Sequence, residues 1–175
     1  MSTKRKIAVS MLDFLRTGEF GPIKLGISRA ELRGCLGNPE DWCVDPKGVN
    51  YAAIWKYGDT EFYFDNGDAL WLIFADHIEN LRGGAAVEID PWIFHGGLLV
   101  ADALESFSAA GILYERIHQT LDDDTERYRV GAGVELIFAD ETQCLFTAEG
   151  VSPDARPDMT FHGFSYSISA QPVMP

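Results

Sequence analysis

Two stretches of this chain share one rhythm. Residues 61–74 read EFYFDNGDALWLIF, and residues 135–148, 74 positions later, read ELIFADETQCLFTA. Each is an alternating apolar run, a polar turn and a second apolar run, the pattern of a β-hairpin with one buried face. Asn66–Gly67 at the first turn is a strong hairpin signal. A chain that repeats this pattern must build antiparallel sheet and cover one side of it.

The flanking residues extend the parallel. Val9, Leu12 and Leu15 are spaced for a helix over 7–16, closed by Gly18, Gly21 and Pro22. Ser28 and Glu31 form a capping box for a second helix carrying Leu32, Cys35 and Leu36, stopped by Gly37 and Pro39. The residues up to Asn50 read as loop, followed by strands at 52–57, 60–65 and 69–76. In the second half, Leu99, Ala103, Leu104 and Phe107 mark a helix closed by Gly111. Strands follow at 112–119, 126–131, 133–139 and 143–149. Helix, strand, strand, strand therefore recurs, with a helix offset of 71 against the strand offset of 74. The expected fold is α+β: two tandem repeats, 1–90 and 91–175, each of short helices followed by antiparallel sheet, forming one compact unit. The second repeat carries a C-terminal tail.

Strand alternation assigns faces. Phe62, Phe64, Leu70, Leu72, Phe74, Leu136, Phe138, Cys144 and Phe146 are expected to face the helices. Glu61, Tyr63, Trp71, Ile73, Glu135, Ile137, Leu145 and Thr147 are expected on the opposite face, which is aromatic and acidic. That face either meets a partner or is covered by a C-terminal segment such as FHGFSYSISA at 161–170.

Charge narrows the partners. The formal net charge is −13: residues 1–90 hold 10 basic and 14 acidic side chains, residues 91–175 hold 4 and 13. Such a chain repels nucleic acid and attracts a basic protein surface. The run Asp122–Asp123–Asp124 reads as a solvated hairpin tip that could steer such a partner. The N-terminus lacks the apolar core of a signal peptide, and no stretch nears the ~20 apolar residues of a membrane span. Three cysteines without a close pair suit a reducing compartment. The expected location is the cytoplasm, away from membranes.

No reaction is legible. His77, His95, His118 and His162 have no metal-ligand spacing. There is no C-x-x-C, no phosphate-binding glycine loop, and the GFSYS at 163–167 is not a nucleophile elbow. Cys43 lies among Glu40, Asp41 and Asp45, which disfavour a thiolate. The Asp122–Asp124 run lacks the order of a calcium loop. We expect no cofactor, no metal and no enzymatic activity.

The run Gly26, Ser28, Glu31, Leu32, Leu36, Gly37 and Pro39 fills the pattern G-x-S-x-x-E-hydrophobic-x-x-x-L-G-x-P ahead of a short antiparallel sheet. It resembles the helix–loop–strand unit of the beta-lactamase-inhibitor-protein-like fold and of outer-membrane assembly lipoproteins of the SmpA/OmlA type. With FLRTGEFGPIKLG upstream and Ile89–Trp92 downstream, it is also similar to uncharacterised bacterial toxin-immunity proteins. The resemblance covers residues 12–92. It implies a binding protein whose two repeats form one curved sheet. There is no lipoprotein cysteine near the N-terminus, and Pro39 has no counterpart in the second half.

The expected function is a cytoplasmic immunity protein that binds and inhibits a toxin. Tyr63, Trp71, Ile73, Glu61, Glu135 and Asp122, Asp123 and Asp124 are its expected contacts. The rival readings are a scaffold module and, behind it, a hydrolase using scattered carboxylates and histidines.

Overall fold

The structure is a computed structural model that describes residues 6–76, 79–117, 125–139, 160–169 and 172–174. Expectations for His77, His118, Asp122–Asp124 and the 143–149 strand with Cys144, Leu145, Phe146 and Thr147 lie outside the described residues.

The first expected helix starts later than its apolar spacing suggests. Ile7–Ser10 is a strand, β1, and only Met11–Thr17 is helical, α1. Ile7 and Val9 are β-branched, and β1 pairs in parallel with a strand at Val87–Asp90, here β6. Ser10 then caps α1, its hydroxyl accepting from the Asp13 N–H at 3.2 Å. Gly18 ends α1 in the left-handed region at φ 72°, and a Cβ there would collide with the Tyr166 hydroxyl.

The second helix, α2 at Arg29–Leu36, carries the expected capping box, with both Ser28–Glu31 bonds formed. Then come β2 (Asp41–Trp42), β3 (Ile54–Tyr57), β4 (Thr60–Phe64) and β5 (Leu70–Ala75). After β6 the chain forms α3 (Val100–Ala109), β7 (Tyr114–Ile117), β8 (Thr125–Val130), β9 (Val134–Ala139) and β10 (Thr160–Ser167). The two-residue strand β2 is too short to show an alternation, whereas β6, Val-Glu-Ile-Asp, alternates but lies outside the expected strands. No helix of the described residues is long and apolar enough to cross a membrane.

Eight strands form one antiparallel sheet in the order β2-β3-β4-β5-β10-β9-β8-β7. Residues 161–167 of the segment expected to cover the sheet are instead a strand within it. They belong to β10, paired with β5 on one side and β9 on the other. The two halves of the chain are joined through its backbone hydrogen bonds.

The buried set of strand residues meets the helices. Phe14 of α1 stands edge-on to Phe164 and Tyr166 of β10 at 5.6 Å. In α2, Arg29 stacks over Phe64 and Arg33 over Trp55. Phe107 of α3 lies 6.0 Å from Tyr114. Leu136, Phe138, Phe161 and Phe164 are buried with them.

The turn around Asn66–Gly67 joins β4 to β5, with the Asp65 N–H bonded to the Ala69 carbonyl at 3.0 Å. Asp65 accepts from the N–H groups of Gly67 and Ala69, and Asp68 takes the left-handed conformation at φ 68°. The next pairing step is irregular: Phe64 faces Leu70 but Tyr63 faces Leu72, leaving Trp71 as an extra residue in a β-bulge. The bulge inverts the parity of β5. Ile73, expected on the outer face, is fully buried opposite Phe62, whereas Leu72 and Phe74, expected inside, share the face of Tyr63 and Glu61.

Because β10 closes the sheet, Phe164→Ala should cost about 3–5 kcal/mol by cavity formation. Its neighbour Ser165, on the other face, should tolerate alanine within about 0.5 kcal/mol. Equilibrium urea unfolding checks both. Equal costs at the two positions would contradict this strand register.

Candidate functional site

The face of Tyr63 can be followed residue by residue across the sheet. One row runs through all eight strands: Asp41, Lys56, Glu61, Phe74, Ser165, Glu135, Arg129 and Glu115. A second row holds Ile54, Tyr63, Leu72 and Ser167. A third holds Gly163, Ile137, Arg127 and Ile117.

The first row alternates in charge toward both edges. Lys56 Nζ lies 3.4 Å from Glu61 Oε1. Arg129 bridges two carboxylates, at 2.7 Å to Glu115 and 3.4 Å to Glu135. Opposite charges on directly paired strand positions attract, and these pairs are partly solvated, so each contributes only up to ~1 kcal/mol. Their main effect is to hold the side chains in a set pattern.

Between the two charged ends lies an aromatic cluster. Tyr63 stands edge-on to Trp71 at 6.0 Å and to Phe74 at 6.3 Å. Trp71 is 39% exposed, and Tyr63, Leu72 and Phe74 are half-buried. The Tyr63 hydroxyl donates to Glu61 Oε2 at 2.8 Å. Burial, and then this bond to a carboxylate, push the Tyr63 phenol up to about 12. Tyr63 is therefore a neutral donor, fixed by Glu61 and braced by two rings.

Of the expected contacts, Glu61, Tyr63 and Trp71 come together on this face, and Glu135 joins them two strands from Phe74 in the same row. Ile73 belongs to the core instead, displaced by the bulge. Ile137 has the expected parity but is buried. Sequence reasoning missed Leu72 and Phe74. LWLIF at 70–74 is apolar throughout, so it has no alternation from which to read parity. It also missed Lys56 and Arg129, which stand opposite Glu61 and Glu135 across tight hairpin turns, a pairing that the short turns at Gly58–Asp59 and Gly131–Gly133 signal.

The polar groups considered for chemistry are dispersed. Cys43 Sγ accepts from the Ile54 N–H at 3.3 Å, and His95 Nδ1 accepts from the Gly97 N–H at 3.1 Å. Among the described residues, no three His, Cys, Asp or Glu side chains are placed to hold a metal ion. Compared with known proteins, the chain matches no family model, no curated protein and no solved structure.

The Tyr63–Glu61 pair has a direct test. In a titration followed by ¹³C NMR of labelled tyrosine, the Tyr63 phenol should ionise near pH 12, later than an ordinary tyrosine. Glu61→Gln should bring it down, because the neighbouring negative charge is gone. Since the folded value lies above the unfolded one, this tyrosine's contribution to stability is intact below about pH 10 and is lost as pH rises toward 12.

Proposed function

We propose that this chain is an immunity-type protein, a cytoplasmic inhibitor that covers a toxin through the sheet face built around Tyr63, Trp71, Leu72 and Phe74. In this reading the chain is two tandem helix–sheet repeats, 1–90 and 91–175, meeting at β5 and β10. The helices lie on one face and the other face is open for binding.

The observation that carries the proposal is the aromatic cluster, with Tyr63 between an exposed Trp71 and Phe74 and charged pairs at its rim. Large stiff rings surrounded by polar groups make the strongest anchors in protein interfaces, because they bury much area at little entropic cost. The net charge of −13 favours a basic partner. The opening motif at Gly26–Pro39, similar to that of inhibitory and toxin-immunity proteins, points the same way.

Co-expression with a toxin encoded beside this chain's gene tests the reading. Growth should be rescued by the wild-type chain and lost with Trp71→Ala, while the variant keeps its circular dichroism spectrum and melting temperature. With the purified pair, Trp71→Ala and Tyr63→Ala should each cost about 2 kcal/mol or more, mainly as faster dissociation. Changing Asp122, Asp123 and Asp124 together to asparagine should slow association at low salt and matter much less at high salt. A toxin neutralised equally well by Trp71→Ala would place the docking surface elsewhere.

A further inference from the structure

A second feature lies apart from that sheet face, beside α2. Arg29, Ala30, Arg33, Asn50, Tyr51, Asn66 and Asp68 line a cleft of about 460 Å³. Arg29 and Arg33 are one helical turn apart and so share a face of α2. Each guanidinium lies on an aromatic ring, Arg29 at 4.5 Å from the Phe64 centroid and Arg33 at 4.7 Å from that of Trp55. The two rings pack edge-on at 5.4 Å, and the Trp55 indole is itself held by the Val49 carbonyl at 2.8 Å. Both arginines are thus fixed in plane by the core beneath them.

Their hydrogen bonds differ sharply. Arg29 is committed: Nη1 pairs with the Asp68 carboxylate and Nε donates to the Ala52 carbonyl at 3.2 Å. Arg33 has no carboxylate among the described residues, in a chain where acidic side chains outnumber basic ones 27 to 14. Its Nη2 donates to Asn50 Oδ1 at 2.7 Å, and its Nε is buried with no acceptor among the described residues. Nε and Nη2 form one edge of the guanidinium, spaced for the two oxygens of a carboxylate. A single amide oxygen fills half of that edge and leaves an N–H orphaned, an arrangement proteins generally avoid. Asn50 is exposed, so its side chain can swing away into water.

We propose that the cleft is a carboxylate-binding site: a small carboxylate displaces the Asn50 side chain and takes both N–H groups on the Nε/Nη2 edge of Arg33. Tyr51, 60% exposed on the cleft wall, offers a ring to the apolar body of the ligand. Lys47, 5.6 Å from the Tyr51 centroid, adds positive potential at the rim. A planar two-oxygen group fits better than a phosphate. The third phosphate oxygen would need a further donor, and Arg29 is already engaged by Asp68 and Ala52.

The test follows the Arg33 Nε–Hε resonance of the ¹⁵N-labelled full chain during titration with benzoate, N-acetylphenylalanine, N-acetylphenylalaninamide and inorganic phosphate. The carboxylates should shift this resonance downfield and saturate at about millimolar concentration. The amide should leave it in place, and phosphate should act much more weakly. Tighter binding of N-acetylphenylalanine than of benzoate would identify a peptide C-terminus as the natural source of the carboxylate, and the reverse order a free small acid. Arg33→Lys, followed through the backbone amides of the cleft residues in place of the lost guanidinium signal, should abolish saturable binding, with the rest of the amide spectrum showing an intact fold. Asn50→Ala, a change at an exposed position, should tighten binding several-fold by removing the competing amide. The proposal is overturned if the resonance stays put, if amide or phosphate moves it as carboxylate does, or if Asn50→Ala weakens binding.

Discussion

Everything else in this molecule depends on β10 sitting between β5 and β9. Without it the first-half strands β2 to β5 and the second-half strands β7 to β9 would each present an unpaired, largely apolar edge. With it, backbone hydrogen bonding continues across eight strands. Phe161 and Phe164 also insert into the core at the junction, where Phe164 meets Phe14 of α1 and Phe161 meets Phe94 and Phe138. One strand thus supplies both the hydrogen bonds and the ring contacts that join the halves. The cost falls on loop closure: β10 pairs with a strand about ninety residues earlier in the chain, the kind of non-local contact that forms late.

The continuity of the sheet gives its other face its chemistry. Its hairpins set neighbouring strands in register, so Lys56 meets Glu61 five positions on, and Arg129 meets both Glu135, six positions on, and Glu115 on the other side. The bulge at Trp71 then adds an aromatic surplus at the middle of this face. It turns Trp71 and Leu72 outward together and brings Phe74 against Tyr63. A regular β5 would have put Leu72 and Phe74 in the core and left the centre of the face to Trp71 and Ile73. The arginine cleft is organised by a different layer. There, core rings orient two guanidinium groups from below, and one local ion pair uses up only the first of them.

Much of the architecture was legible in the residues themselves. The Ser28–Glu31 capping box, the stop at Gly37, the α3 stripe and the strands β3, β4, β5, β8 and β9 all rest on interactions within a few positions of one another, and local patterns report them faithfully. Glu61 and Tyr63 could be assigned to one face because the alternation in β4 is clear, and Glu135 because it is the one charged residue of β9. The N-terminal segment misled because Ile7 and Val9 suit a helix or a strand. The choice was made by β6, eighty residues away.

By itself, then, the sequence determined that this chain is an α+β protein with capped helices, alternating strands and a strongly acidic surface. Tertiary structure decided where β10 pairs, which way β5 faces after its bulge, and that Arg33 stands over Trp55 with no carboxylate partner among the described residues. The reason is physical. Capping and amphipathicity are set by neighbours along the chain, whereas strand order, register and the parity of a wholly apolar run are set by partners that only folding brings together.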